Sequence, residues 1–194
     1  MASSSNDFAE IDSKTQAVFT KKGYQLQAKL GQGAFGQVYK AINVKRDNQV
    51  CAVKVMDTTK MSSKLVEKFL PRELAALMEV NHPYAVRVYD IFKMSKKVFI
   101  FMEFAGGGDL AGYVKKNKAI KEDLACYWFN QTSQAVDYLH TTHRMAHRDI
   151  KLDNILLNEV RQVKLSDFGF ANFVLDESQD IYESVSTTFC GTLP

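Results

Sequence analysis

The stretch LGQGAFGQVYKA, residues 30–41, decides the fold. It contains G-x-G-x-x-G at Gly31, Gly33 and Gly36, a pattern shared by dinucleotide-binding turns and by loops that cover phosphates. In a dinucleotide fold the third glycine opens a helix. Here Gly36 is followed by Gln37, Val38, Tyr39, Lys40 and Ala41, which read as a strand, so the glycines sit in a hairpin turn. Without a Cβ at these positions, backbone N–H groups can approach phosphate oxygens, and Phe35 at the tip can shield them from water. Taken alone, the loop suits an ordinary glycine-rich hairpin equally well.

Working outward, Tyr24 to Leu30, Gln37 to Ile42 and Val50 to Met56 read as three antiparallel strands, and residues 1–23 as a flexible N-terminal tail. Helical spacing of Leu74, Leu77 and Val80 follows, and Pro71 places the start of that helix near itself, because proline is tolerated only in a first turn. Strand-like runs at Val86 to Phe92 and Val98 to Met102 lead into Gly106, Gly107 and Gly108, a hinge signal. Leu124, Trp128, Ala135 and Leu139 mark an amphipathic helix over 121–140. Beyond it come loops and two short strands, Ile155 to Leu157 and Val163 to Leu165.

Composition narrows the function classes. The 194 residues carry 25 Lys+Arg against 22 Asp+Glu, a net +3 that argues for neither nucleic acid nor an anionic membrane as partner. Three widely spaced cysteines suggest neither a disulfide framework nor a zinc knuckle, and point to a reducing, cytoplasmic setting. Cys51 and Cys126 read as small core residues. No run approaches the roughly 20 apolar residues of a membrane span, and MASSSND lacks the features of a secretory signal.

Three further constellations carry chemistry. Lys54 stands between Val53 and Val55 in an apolar strand, where its ammonium needs an anionic partner: phosphate oxygens, or a carboxylate on the next helix. Glu67 and Glu73 both compete, and Glu73 shares an inward face with Leu77. HRDIKLDN, residues 147–154, sets Asp149, Lys151 and Asn154 on one short loop: a carboxylate base, a cation and an amide ligand. Finally, Asp167-Phe168-Gly169 places a carboxylate at a strand end before a glycine, which suits a magnesium ligand.

In this order and at these intervals, the four motifs resemble the signature set of the protein kinase family from about Tyr24 onward. The resemblance implies an α+β, two-lobed kinase fold, with a small lobe at 24–102, a hinge at 103–108 and a partial large lobe at 109–194. It implies ATP and Mg²⁺ as cofactors. Leu30, Gly31, Gly33 and Gly36 would cover the nucleotide, Val38, Ala52 and Leu156 would sandwich the adenine, and Met102 would stand as gatekeeper. The backbones of Glu103 and Ala105 would bond the base. Lys54 would hold the α- and β-phosphates while pairing with Glu73, and Asn154 and Asp167 would hold the metal. Asp149 would accept the substrate hydroxyl's proton beside Lys151.

Lys151, two residues after Asp149, follows the serine/threonine pattern and not the tyrosine one. KFLPRE (68–73), VKLSDFGF (163–170) and TFCGT (188–192) are similar to the testis-specific serine kinases of the calmodulin-dependent-kinase-like group. The resemblance also assigns Thr188 as an activating phosphosite facing Arg148, and Asp109, Asp153 and Thr192 to the protein substrate, with a basic residue upstream of its Ser or Thr. Asn172 departs from the lysine or arginine that related kinases often carry. The chain stops before A-P-E and the later helices, so the apolar face of the helix 121–140 is expected to lack cover. A kinase-like module that binds nucleotide or a partner without catalysis is the alternative reading.

Overall fold

The computed structural model describes residues 13–33, 36–60, 70–168, 172–173, 175–176 and 181–182. Two compact units divide the chain, one of residues 1–74 and 88–104, the other of 75–87 and 105–194. The mixture is α+β, as the motifs imply.

The first unit is built on a five-stranded antiparallel sheet in the order β1-β2-β3-β5-β4. Its strands are β1 (Tyr24–Gly33), β2 (Gly36–Asn43), β3 (Gln49–Asp57), β4 (Val88–Met94) and β5 (Lys97–Glu103). Strict alternation along β2 buries Gln37, Tyr39, Ala41 and Asn43 and leaves their neighbours half-buried, the period-2 pattern of a two-faced sheet. One face carries the core: Tyr24, Tyr39, Ala41, Cys51, Val53, Phe99 and Phe101. The register pairs Val38 with Lys54, Lys54 with Ile100 and Ala52 with Met102, so these five share the opposite face. The glycine turn falls between β1 and β2 as expected, and its tip, Ala34 and Phe35, lies outside the described residues.

Residues 13–22 correct the expectation of a flexible tail. They form α1 (Ser13–Lys22), with Thr15 and Phe19 buried. The physical reason is Phe19, 1% exposed, whose ring meets Phe92, Phe99 and Phe101 edge-on at 5.1 to 5.6 Å. An aromatic anchor of this size supplies the tertiary burial that a ten-residue helix needs to persist.

α2 (Leu70–Glu79) starts one residue before Pro71, which occupies the permitted first turn. In the second unit, Asp109 caps α3 (Leu110–Asn117): its Oδ1 accepts from the Gly112 N–H at 2.6 Å. The long helix is α4 (Glu122–Thr142), and it buries Trp128, Gln131, Thr132, Ala135 and Leu139. Of the predicted apolar face, Trp128, Ala135 and Leu139 are buried, contrary to expectation, and Leu124 is half-buried. Trp128 stacks edge-on against Tyr113 and donates to the Arg161 carbonyl, while the Gln131 side-chain oxygen accepts from the Val163 N–H. What stands exposed on α4 is the other side, with Phe129 75% accessible. Cys126 lies there too and is exposed, against its expected place in the core; Cys51 is fully buried. Cys126 is two residues from Trp128, about 200° around the helix, and so faces away from the buried stripe.

Three two-stranded pairings complete the unit: β7 (Ile155–Leu157) with β8 (Val163–Leu165), β6 (Met145–Ala146) with β9 (Asn172–Phe173), and β10 (Leu175–Asp176) with β11 (Ile181–Tyr182). β7 and β8 match the predicted strands. The Gly106–Gly108 stretch is tied to β7: the Gly107 N–H donates to the Leu157 carbonyl, and the Leu157 N–H to the Gly108 carbonyl, both at 2.8 Å. A Cβ on Gly107 would lie 2.8 Å from the Leu157 oxygen, so this glycine is required by close approach.

Candidate functional site

The residues from His147 to Asn154 leave β6, make a 3-10 turn over Leu152–Asn154 and enter β7. Arg148 adopts the left-handed region at φ +63°, and Asp167, just past β8, does so at +59°. Left-handed geometry costs a residue with a Cβ about 1–2 kcal/mol. One of these two bends stands next to Asp149 and the other is at Asp167 itself.

Asp149 is buried, its side chain 5% exposed, and its carboxylate is held from two sides. Lys151 Nζ lies 3.1 Å from Oδ2, and Asn154 Nδ2 donates to the same oxygen at 2.9 Å. The same amide nitrogen also donates to the Asp149 backbone carbonyl at 2.8 Å. These two acceptors fix the orientation of the Asn154 amide, with nitrogen toward Asp149 and oxygen at the opposite end. Three residues predicted as base, cation and ligand are thus brought into one hydrogen-bonded group.

Two supports of that group were not singled out from sequence. His147, 1% exposed, accepts the Asp149 N–H on Nδ1 at 3.3 Å and places Nε2 2.8 Å from the Ser166 carbonyl. A donor on one side and an acceptor on the other select the neutral Nε2–H tautomer. Burial pushes its pKa below the ordinary 6.5, against smaller opposing effects of the Ser166 carbonyl, Asp167 and Asp149. Ser166 in turn donates through both N–H and hydroxyl to the Asn154 carbonyl, at 2.9 and 3.0 Å. It thereby couples β8 and the start of Asp167 to the loop. The signal was available: a histidine two residues before a buried carboxylate and a serine just before Asp167 in the same sequence motifs.

Metal fit rests on donor chemistry. Mg²⁺ takes oxygen ligands, usually one or two from the protein with the remainder from phosphate and water. The oxygen end of the Asn154 amide and the Asp167 carboxylate, partly exposed after β8, are such a pair. Among the described residues no group of three or more His, Cys, Asp or Glu could hold a metal unaided.

In the first unit, Val38, Ala52, Lys54 and Met102 lie together on the sheet face opposite the aromatic core. Lys54 is half-buried between Val53, fully buried, and Val55. Glu73 is on α2, but its side chain lies outside the described residues, and Thr188 and Thr192 lie outside them altogether. Gly31 and Gly36 differ in kind. A Cβ on Gly36 would overlap the Val55 carbonyl oxygen, whereas one on Gly31 would meet nothing within 4 Å. The sheet itself thus demands glycine at 36, and leaves open space at 31. Leu30 is exposed, and Glu103 ends β5.

Ala105 belongs to the second unit, where Leu156 is half-buried in β7 and Arg148 is half-buried in the loop. Asp153 is exposed on the 3-10 turn, against which α3 packs. Asp109 has one carboxylate oxygen engaged as the α3 cap. Among the described residues no helix is long and apolar enough to cross a membrane.

A family model described as protein kinase domain matches residues 24–194. Testis-specific serine/threonine-protein kinase 2 of Mus musculus is 41% identical over 178 residues, covering 91% of this chain and 49% of that protein. Testis-specific serine/threonine-protein kinase 4 of Homo sapiens is 34% identical over 180 residues, 88% of this chain and 54% of the other. CBL-interacting serine/threonine-protein kinase 20 of Arabidopsis thaliana is 36% identical over 169 residues, 87% and 37% respectively. The chain spans about half the length of the testis-specific relatives it matches.

Proposed function

This chain belongs to the protein kinase family, and from that premise we propose that it supplies the nucleotide-binding and catalytic residues of a protein serine/threonine kinase using ATP and Mg²⁺. The observation that carries the reading is the Asp149 carboxylate, buried and held by Lys151 and Asn154 at 3.1 and 2.9 Å. Such a carboxylate is oriented before substrate arrives. Its other oxygen would take the proton of a Ser or Thr hydroxyl as that hydroxyl attacks the γ-phosphorus, and Lys151 would neutralise charge on the transferred group.

Asn154 and Asp167 would hold magnesium, which would supply positive charge against that of the phosphates. Because phosphoryl transfer needs little covalent chemistry from the protein, positioning and charge placement supply most of the acceleration. Lys54 would hold the α- and β-phosphates and pair with Glu73. Leu30, Gly31, Gly33 and Gly36 would cover the nucleotide, Val38, Ala52 and Leu156 would flank the base, and Met102, Glu103 and Ala105 would line its edge. Thr188, once phosphorylated, would form charge-assisted hydrogen bonds with Arg148.

On the substrate side, Asp153 and Asp109 would read an arginine about three residues before the acceptor, with Thr192 beside it. Asp153 contributes most to this reading, since the Asp109 cap already engages one of its oxygens. A degenerate peptide library phosphorylated by the protein tests the reading. Transfer to Ser and Thr with arginine selected upstream is expected, and Asp109→Asn with Asp153→Asn should flatten that selection. Asparagine at 109 still caps α3. Transfer to tyrosine, or an acidic or proline-directed preference, contradicts the substrate assignment.

A further inference from the structure

Helix α1 precedes residues 24–194, the span matched by the family model, yet it is built into the first unit's core. Phe19 sits among Phe92, Phe99 and Phe101, with ring centroids 5.6, 5.1 and 5.3 Å away. Lys22 reaches across to Asp90 on β4 at 2.7 Å and lies over the Phe92 ring at 4.8 Å. Lys45, in the turn between β2 and β3, donates to the Lys21 carbonyl at 2.6 Å, and the Val44 N–H donates to the Gly23 carbonyl at 2.8 Å. The helix is thus fastened at its C-terminal end to β4 and to the β2–β3 turn, and through Phe19 to β5.

What lies behind Phe19 gives this consequence. Phe99 and Phe101 alternate along β5 with Ile100 and Met102, and Phe101 pairs with Val53 while Ile100 pairs with Lys54 and Met102 with Ala52. Phe19 therefore packs on the reverse side of β5, which carries Met102 and pairs with β3, the strand of Lys54 and Ala52. A packed interior transmits displacement, because it has few voids to absorb it. Emptying the Phe19 site would let the Phe99 and Phe101 rings relax toward α1 and shift β5 against β3.

We infer that Phe19 is a positioning residue for nucleotide binding: through Phe99 and Phe101 it sets how β5 lies against β3, and with that the placing of Met102 and Lys54. The inference rests on the kinase reading above. It assigns to a segment ahead of the family-matched span a part in setting nucleotide affinity, beyond holding the fold.

Calorimetric titration of the protein with Mg·ADP tests it, at a temperature where far-ultraviolet circular dichroism shows wild type, Phe19→Leu and Phe19→Ala all folded. Phe19→Ala should weaken binding about tenfold and Phe19→Leu, which keeps most of the buried volume, about threefold. A purely structural role lowers the melting temperature and leaves the affinity of the folded protein unchanged; that result in both variants overturns the inference alone. A wild-type protein that binds no Mg·ADP overturns the kinase reading and this inference with it. If Phe19→Ala does not fold, Phe19→Leu decides by the same rule: weakened affinity supports the inference and wild-type affinity overturns it.

Discussion

Replacing Asn154 with alanine should destabilise the second unit by about 2–4 kcal/mol. The side chain makes two hydrogen bonds to one residue, at 2.8 Å to the Asp149 carbonyl and 2.9 Å to its Oδ2. Both acceptors are buried, and a buried group left short of a partner costs about 1–3 kcal/mol, more where it is charged. Lys151 still holds Oδ2 at 3.1 Å, which keeps the carboxylate's share near the lower end. The bonds from Ser166 go to the Asn154 backbone and survive the substitution. Trp128 is the sole tryptophan, lies in the same unit and is 1% exposed, so its fluorescence reports the unfolding of that unit. With a urea dependence of about 1–3 kcal/mol per molar, the transition midpoint should fall by roughly 1–2 M. A shift below about 0.3 M would refute the claim that Asn154 holds Asp149 in place.

Gly36→Ala should abolish soluble expression or unfold the first unit, since its Cβ has no room beside the Val55 carbonyl, whereas Gly31→Ala should change stability by less than about 0.5 kcal/mol; equal melting temperatures for the two variants would contradict the packing argument. His147 binds its proton less readily folded than unfolded, so its contribution is complete above the ordinary pKa of 6.5 and is lost as pH falls below it. The urea midpoint should therefore drop more steeply between pH 7.5 and 5.5 in wild type than in His147→Gln, and parallel curves would exclude this source. In the native protein a thiol reagent should label Cys126 and spare Cys51, which is fully buried and has its thiol pKa pushed up to about 11; peptide mapping by mass spectrometry reads the two sites separately, and labelling of Cys51 at the Cys126 rate would contradict its burial.

The sheet was legible because β3 is a short apolar run bounded by turn residues, and because the strand after Gly36 ruled out the dinucleotide alternative. Pro71 likewise announced its helix start, since a missing N–H acts locally. α1 was not legible: only Thr15 and Phe19 of its ten residues are buried, and what anchors Phe19 lies more than seventy residues away, on β4 and β5. β6 and β9 pair over two residues each, too few for any periodicity to show. At the site, the residue types of Asp149, Lys151 and Asn154 could be read from the chain. Their mutual orientation could not, because it depends on the strained Arg148 backbone and on His147 and Ser166 bonding across nineteen residues. Cys126 was misplaced because a cysteine beside Tyr127 and Trp128 looks apolar in sequence, while helix geometry turns it to the opposite side.

The proposed mechanism makes Asp149 the proton acceptor in phosphoryl transfer. The most direct measurement is Mg·ATP-dependent phosphorylation of an arginine-containing serine peptide by the wild-type protein and by Asp149→Asn, each with its Trp128 fluorescence recorded. Transfer by wild type, a loss of at least about a hundredfold in the variant and an unchanged emission spectrum are expected. Wild-type turnover within about threefold in a folded Asp149→Asn protein would contradict that mechanism.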